Sequence, residues 1–387
     1  MVQERQDVAL PQLVVRDSHQ ALADLGAYVR SQLDLKVAAI TGSCGKTSVK
    51  EMLASILGRE GKALATRGNL NNEIGVPLTL LELTEEHQYA VIELGANHAG
   101  EIAFTTALTR PDVAVVTNVS AAHLEGFGSL QGVADAKFEI FQGLGKEGIA
   151  VLNRKQYDFE NWHHKLAIQP QLGFALEDPD SDLYADAIEM QASGCRFMLH
   201  TPKGAAEVRL RVPGRHNVAN ALAAAGTALA LGIPLETIVA GLEAFDSVPG
   251  RLQRTELKDC VVIDDSYNAS ADSVSAAIEV LKEMPGYRIF VFGDMAELGD
   301  ESDALHQRIG RELKASGIEQ VLLLGDKTRL TAKECQGHWY SDKPLLIKAL
   351  EQLITEQKDV VILVKGARSM KMDEVVTVLT NNEEMAC

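Results

Sequence analysis

The eight residues Thr41-Gly42-Ser43-Cys44-Gly45-Lys46-Thr47-Ser48 constrain this chain more than any others, because they read as a phosphate cradle. An apolar run, Val37-Ala38-Ala39-Ile40, precedes them, and Val49–Leu57 follows with helical spacing. A strand, a glycine loop and a helix start in that order aim backbone N–H groups and a positive dipole end at one point. Lys46 would then reach the outer phosphates of a nucleotide, and the Thr47 hydroxyl would face a Mg2+. The general phosphate-loop spacing wants glycine at position 40, where this chain has Ile40, so the loop is a shorter variant. A chance Gly-Lys-Thr in an ordinary turn is the competing reading. The strand before it and the helix after it weigh against that.

A chain of 387 residues exceeds one ordinary core and predicts two or three domains. Hydrophobic residues make up 46% and charged ones 24%, the balance of a soluble globular protein. The net charge of −17 argues against nucleic acid or an anionic membrane as the main partner. It also means that cations must be concentrated locally if the ligands are anionic. The five cysteines, Cys44, Cys195, Cys260, Cys335 and Cys387, are scattered and form no Cys-x-x-Cys pair. They predict reduced thiols in a cytoplasmic protein. The charged N-terminus has no apolar signal core, and no apolar run approaches the ~20 residues that cross a bilayer.

Residues 1–34 hold one short apolar run and one helix around His19–Leu33, too little to bury a core, and read as an appendage or a fragment. From Lys36 to Asn153 the runs Val37–Ile40, Tyr89–Leu94, Val113–Asn118 and Gly148–Asn153 alternate with helical patterns. They are almost wholly apolar, which fits parallel strands covered on both faces. Residues 182–213 change to short alternating pieces, a small β-rich excursion, and a long helix, Asn217–Leu231, follows. After Pro249-Gly250-Arg251 a second series begins, with strands at Val261–Asp264, Arg288–Phe292, Val321–Gly325 and Val360–Val364. The expected fold is therefore α/β: a central, mostly parallel, phosphate-loop domain with the β-rich excursion, then a doubly wound, Rossmann-like C-terminal domain. The expected division is 1–34, 35–250 and 251–387.

Several polar groups fall at predicted strand ends. The loop Gly68–Pro77 carries Asn69, Asn71 and Asn72, which suit either a polar ligand or a plain surface turn. Glu93 ends an apolar strand, where a carboxylate is a natural Mg2+ ligand or a solvated strand end. His123 follows the next strand and reads equally as a metal or phosphate contact and as a structural histidine. Lys137 is, by pattern alone, an ordinary helix lysine with a solvated head. Gly214–Asn220 opens a helix with Asn217 placed to cap it. Asp264–Asn268 sets polar groups at a sheet's carboxyl edge. Lys365-Gly366-Ala367-Arg368 brings two cations suited to an anionic or carboxylate ligand.

Taken together, these stretches resemble the Mur ligases, the ATP-dependent amide-forming enzymes of peptidoglycan synthesis, over nearly the whole chain from about Pro11. The family's phosphate loop matches Thr41–Thr47, which accounts for Ile40. Gly68–Pro77, Gly293–Gly299 and Val364–Lys371 look like the branch that adds D-alanyl-D-alanine to UDP-N-acetylmuramoyl-tripeptide. The resemblance implies those two substrates, ATP and Mg2+, and a monomer without nucleic acid or membrane partners. It implies Lys46, Glu93, His123 and Lys137 as the catalytic set, with Thr41–Ser48 around the ATP phosphates. It implies metal contacts from Thr47, Glu93, His123 and Lys137, the last carried as a CO2 adduct, a carbamate. Only a neutral amine reacts with CO2, so burial must depress this lysine from the ordinary pKa of about 10.4. Asn220, Arg251 and Asp265 match positions that hold adenine, phosphates and ribose. Asn69, Asn71, Asn72, Tyr267, Asn268, Lys365 and Arg368 are the implied substrate contacts.

Two departures stand out. Residues 1–34 match only the tail of the family's first domain, which grips the uridine end of the substrate, so weak binding of that substrate is expected. Ala271 stands where many relatives have proline. The alternatives are a sister ligase such as a folylpolyglutamate synthase, a non-catalytic nucleotide module, and a GTPase-like switch. For the last, Asn153-Arg154-Lys155-Gln156 lacks the aspartate of the Asn-Lys-x-Asp guanine reader.

Overall fold

Short apolar runs alternating with amphipathic stretches produce two parallel-rich sheets, each covered by helices on both faces. The structure, a computed structural model, describes residues 1–121, 124–258 and 260–381.

The first layer system runs α1 (Ser18–Ser31), β1 (Lys36–Thr41), α2 (Lys46–Leu57), β2 (Ala63–Ala65), α3 (Gly75–Leu80), β3 (Tyr89–Glu93), α4 (Glu101–Thr109) and β4 (Val113–Val116). It continues with α5 (Leu124–Phe127), α6 (Leu130–Phe138), β5 (Ile149–Asn153), α7 (Phe159–Lys165), β6 (Gln171–Leu176), β7 (Leu183–Gln191), β8 (Gly194–Thr201), β9 (Gly204–Leu210), α8 (Arg215–Ala230) and α9 (Leu235–Ala244). The strand order is β2-β3-β1-β4-β5-β6-β7-β8-β9, parallel as far as β7 and antiparallel beyond it. Alternate residues of β1 explain the unbroken apolar run. Ala38 and Ile40 bury against α2, α8 and α9, while Val37 and Ala39 belong to the opposite core with α3, α4 and α6. Each such side chain contributes roughly 1.5–3 kcal/mol if branched and fully buried. Helix α1 docks on this opposite face, where Gly26 lets it approach Pro77: a Cβ there would lie 3.0 Å from the Pro77 backbone.

The second system runs β10 (Gln253–Glu256), β11 (Cys260–Asp265), α10 (Ala271–Lys282), β12 (Tyr287–Gly293), α11 (Ser302–Ser316), β13 (Gln320–Leu324), α12 (Thr328–Cys335), β14 (His338–Tyr340), α13 (Lys343–Glu356), β15 (Val360–Lys365) and α14 (Asp373–Asn381). Its order is β10-β11-β15-β12-β13-β14, with only β10 antiparallel. Helices α10 and α11 cover one face, α13 and α14 the other. This is the expected doubly wound arrangement.

The expected β-rich stretch is present as β7–β9, and β7 pairs with β6 so that it carries the central sheet on without a break. Two details differ from the sequence reading. Helix α8 begins two residues before Asn217, so Asn217 is no cap; Gly214, at φ 102, holds that position, and the Asn217 amide donates to the Pro213 carbonyl at 2.8 Å. Strand β4 stops at Val116, which frees Thr117 and Asn118 for a different task.

Candidate active site

The phosphate loop links β1 to α2 and is shaped by two glycines. Gly42 has φ 150, and a Cβ there would lie 1.9 Å from Thr117 Oγ1; Gly45, the helix cap, has φ 81, and its Cβ would meet Asn220 Oδ1 at 2.3 Å. The residues just after β4 brace the loop. Thr117 Oγ1 donates to the Cys44 carbonyl at 2.6 Å, the Cys44 N–H donates to Asn118 Oδ1 at 2.9 Å, and Ser43 Oγ donates to the Ser120 carbonyl at 3.1 Å. Sequence reasoning missed these braces, since their only signal was a polar run at a strand end. The first-turn N–H groups of α2, which a helix leaves unbonded, open beyond this frame. Thr41 and Gly42 lie beneath it: the Thr41 hydroxyl is buried and donates to the Leu94 carbonyl at 2.7 Å. Lys46 bends back, its ammonium donating to the Gly42 carbonyl at 2.8 Å. Burial lowers its pKa and the Glu93 carboxylate opposes the shift. An ammonium that leans on its own loop's carbonyls is a cation waiting for an anion.

Glu93 ends β3, one strand over from the loop. Its carboxylate is 2% exposed. Oε1 accepts from Asn71 Nδ2 at 2.8 Å, while among the described residues Oε2 is buried without a hydrogen-bond partner. An orphaned buried carboxylate oxygen costs free energy unless a cation or proton donor completes it. Asn69 lies at the same rim, and Asn72 Oδ1 caps the start of α3 by accepting from Gly75 N at 2.9 Å.

Lys137 is not the solvated helix lysine that its pattern predicted. It is 1% exposed, and its ammonium lies 5.3 Å over the Phe127 ring. Burial, with repulsion from Lys46, brings its pKa down to about 7. About half of the amine is therefore neutral at pH 7, against a tiny fraction for an ordinary lysine. His123 lies outside the described residues. Among the described residues, no three His, Cys, Asp or Glu side chains converge as a metal cluster.

The second sheet supplies the facing wall. A cavity of about 790 Å³ lies between the two layer systems. It is lined by Ser43–Ser48, Asn69, Asn71, Asn72, Glu93, Asn220, Arg251, Asp265, Tyr267, Asn268, Lys365 and Arg368. Of the described candidates, only Thr41, Gly42 and Lys137 do not line it. The two walls touch where Cys44 Sγ lies 3.1 Å from Ser270 Oγ and Arg251 reaches Thr47 Oγ1 at 3.4 Å. Arg251 and Arg368 both lie over the Tyr267 ring, at 4.6 and 5.8 Å. Lys365 departs from its expected role as a free cation. It is 3% exposed and paired with Asp265 Oδ2 at 2.6 Å, with the Asn268 carbonyl at 3.0 Å. It ties the end of β15 to the end of β11, which leaves Arg368, 64% exposed and in a solvent-facing ion pair with Asp373 Oδ2 at 3.3 Å, as the more accessible of the two cations. His216, also on the cavity and not singled out from sequence, is kept neutral by burial, its pKa near 4 despite Asp265.

Comparison with known proteins gives this geometry a context. Residues 40–228 match the Mur ligase middle domain, and residues 250–368 match the Mur ligase, glutamate ligase domain. The chain is 51% identical over 378 residues to the UDP-N-acetylmuramoyl-tripeptide--D-alanyl-D-alanine ligase of Escherichia coli K12, covering 97% of this chain and 84% of that protein. A crystal structure of MurF from Acinetobacter baumannii superposes with a TM-score of 0.93 at 40% identity, over 97% of this chain and 83% of that one. The MurF ligase of Thermotoga maritima in complex with ADP superposes with a TM-score of 0.86 at 27% identity, over 98% and 88% of the two chains.

Proposed function

This chain belongs to the Mur ligase family of ATP-dependent enzymes, and from that premise we propose that it joins D-alanyl-D-alanine to UDP-N-acetylmuramoyl-tripeptide in the cytoplasm. In this reading residues 35–250 are the ATP-binding domain and residues 251–387 the domain that closes over it. The observation that carries the reading is a buried Glu93 oxygen without a hydrogen-bond partner among the described residues, beside a phosphate loop and in a cavity that two sheets share.

The chemistry has two steps. A carboxylate is a poor electrophile, so an oxygen of the tripeptide's terminal carboxylate first attacks the γ-phosphorus of ATP, and ADP leaves. The free amine of D-alanyl-D-alanine then attacks the carbonyl carbon of the acyl phosphate. Inorganic phosphate departs, the amide forms, and one proton is released. Lys46 and the α2 N-terminus bind the phosphates and offset charge on the transferring oxygens. Thr47, Glu93 and Lys137, the last as a carbamate, would hold Mg2+, with His123 as a further ligand. Bound there, Mg2+ supplies positive charge that lets two anionic reactants meet in an acidic protein. Glu93 fits that role because, among the described residues, one of its oxygens has no hydrogen-bond partner, and Lys137 because about half of its amine is neutral at pH 7. Asn220 and Asp265 orient the nucleoside, Arg251 its phosphates. Asn69, Asn71 and Asn72 meet the acyl substrate, Tyr267 and Asn268 the closing face, and Arg368 the dipeptide carboxylate. Lys365 acts through Asp265, keeping that face in register. Closure of the two walls keeps water from the acyl phosphate.

The test is direct. ATP, UDP-N-acetylmuramoyl-tripeptide and D-alanyl-D-alanine are mixed with the protein, and phosphate and pentapeptide product are both measured. Phosphate without pentapeptide, or neither, overturns the reading.

A further inference from the structure

The loop after β12, residues 294–298, carries Ala296, Glu297 and Leu298 into the cavity wall. Its backbone is not a relaxed turn: Glu297 has φ 61, a left-handed conformation for a residue with a side chain. Something behind the loop must hold it. The Met295 N–H donates to Nε2 of His306 at 3.1 Å. His306 is wholly buried on α11, outside the cavity, and its Nδ1 faces the Ser302 carbonyl at 2.7 Å. These two bonds admit one protonation state. Nδ1 carries the hydrogen and donates to Ser302, and Nε2 is a bare acceptor.

The same loop is tied to the segment that carries Arg368. The Ala367 N–H donates to the Asp294 carbonyl at 2.9 Å, and Asp294 Oδ1 accepts from Thr328 N at 2.8 Å. A Cβ on Gly366 would lie 3.2 Å from Gly293 Cα and 2.6 Å from Met372 Cγ, so the two loops touch backbone to backbone. Displacing Met295 therefore displaces Asp294 and, through Ala367, the position of Arg368.

We infer that His306 is a positioning residue for the dipeptide subsite: as a neutral imidazole it holds the 294–298 loop, which in turn seats the Arg368 segment. This rests on the ligase reading above and adds to it a residue that touches no substrate. It also predicts an acid limb. A proton on Nε2 turns the acceptor into a donor facing the Met295 N–H, and the bond is lost. Burial holds the His306 pKa below its ordinary 6.5, and Lys327 assists, while the Ser302 carbonyl, Asp294 and Asp303 oppose. The latch is therefore closed at neutral pH and opens only as the pH falls below that value.

The experiment uses the full chain. His306→Phe keeps the ring and removes the acceptor, which strands the Met295 N–H. It is expected to raise KM for D-alanyl-D-alanine about tenfold, the worth of one such loss, and to leave KM for ATP within twofold. His306→Gln offers an oxygen acceptor and is expected to restore most of the affinity. As the pH is taken progressively below 6.5, the wild-type KM for the dipeptide is expected to climb while that of His306→Gln stays flat. Hydrogen exchange at the Met295 amide gives a readout independent of turnover: protected in wild type, exposed in His306→Phe. Equal effects on both KM values, or superimposable pH profiles for wild type and His306→Gln, overturn the inference alone. The profile comparison stands even if the phenylalanine variant does not fold. A wild-type chain without dipeptide-dependent phosphate release overturns the ligase reading and this inference together.

Discussion

Lys137→Met separates what the Lys137 site costs the fold from what it gives the reaction. Methionine keeps an unbranched stem of similar length and has no proton to exchange. The folded chain releases the Lys137 proton from about pH 7, whereas the unfolded chain keeps it to the ordinary value of 10.5. Between those values the unfolded state binds one more proton, so wild-type stability rises with pH by about 1.4 kcal/mol per unit. At pH 7.5 the buried lysine thus costs a few kcal/mol relative to an uncharged residue, and at pH 9.5 roughly a third of that. Lys137→Met is expected to be the more stable protein, by a margin that shrinks steadily as pH rises. The assay is urea unfolding at pH 7.5, 8.5 and 9.5 in CO2-free buffer, so that the amine stays unmodified. Trp162 is wholly buried and its ring lies 5.6 Å from that of Phe138, beside Lys137; in a Trp339→Phe background it reports alone. The same variant is expected to lose at least 100-fold in ligation if the carbamate reading holds. A stability difference that does not change with pH refutes the reasoning, because it means that Lys137 keeps its proton when folded.

Other substitutions probe the rest of the cavity. Lys46→Ala is expected to cut phosphate release by at least 10²-fold, the worth of one lost contact to transition-state charge; a variant that keeps more than about a hundredth of the rate sinks that role. Glu93→Gln is expected to abolish the magnesium-dependent part of the thermal shift given by ADP, and an unchanged shift would place the cation elsewhere. Gly42→Ala drives a methyl into Thr117 Oγ1, 1.9 Å away, and is expected to remove ADP binding in a titration while the C-terminal domain still melts normally. Arg368→Ala is expected to raise KM for D-alanyl-D-alanine more than KM for ATP; the reverse order would reassign the guanidinium to the nucleotide.

Much of this architecture was legible from residues alone, where one physical cause dominated. Strands buried on both faces read as unbroken apolar runs, so β1, β3, β4, β5 and most of the C-terminal strands fell where expected. The phosphate loop was legible because two glycines and a lysine at fixed spacing have few other uses. What stayed hidden depends on partners distant in sequence. Nothing near Lys137 announces that Phe127 will cover it, and nothing in Lys365-Gly366-Ala367-Arg368 says which cation will be taken by Asp265. Asn217 looked like a cap because asparagine favours helix starts and a helical run follows it, yet Gly214, three residues earlier, accommodates the turn at φ 102. The braces at Thr117 and Asn118 were invisible for the same reason, since their carbonyl and amide partners lie more than seventy residues away.

The two faces of the central sheet are completed at different moments of synthesis. The core containing Val37, Ala39, Ala90, Ile92 and Val116 draws all its buried members from residues 23–166. The opposite core, built on Ala38, Ile40, Val91, Val115 and Val151, needs the meander β7–β9 and then α8 and α9, which end at Ala244. At ribosomal rates of about 5–20 residues per second, the second face waits several seconds after the first is provisioned. During that interval a half-covered row of valine, isoleucine and alanine is exposed to other chains, and a chaperone would find its target there. Synonymous codons that slow translation between residues 176 and 215 would lengthen the exposure and lower the soluble yield. Slowing after residue 245 would leave that sheet unaffected.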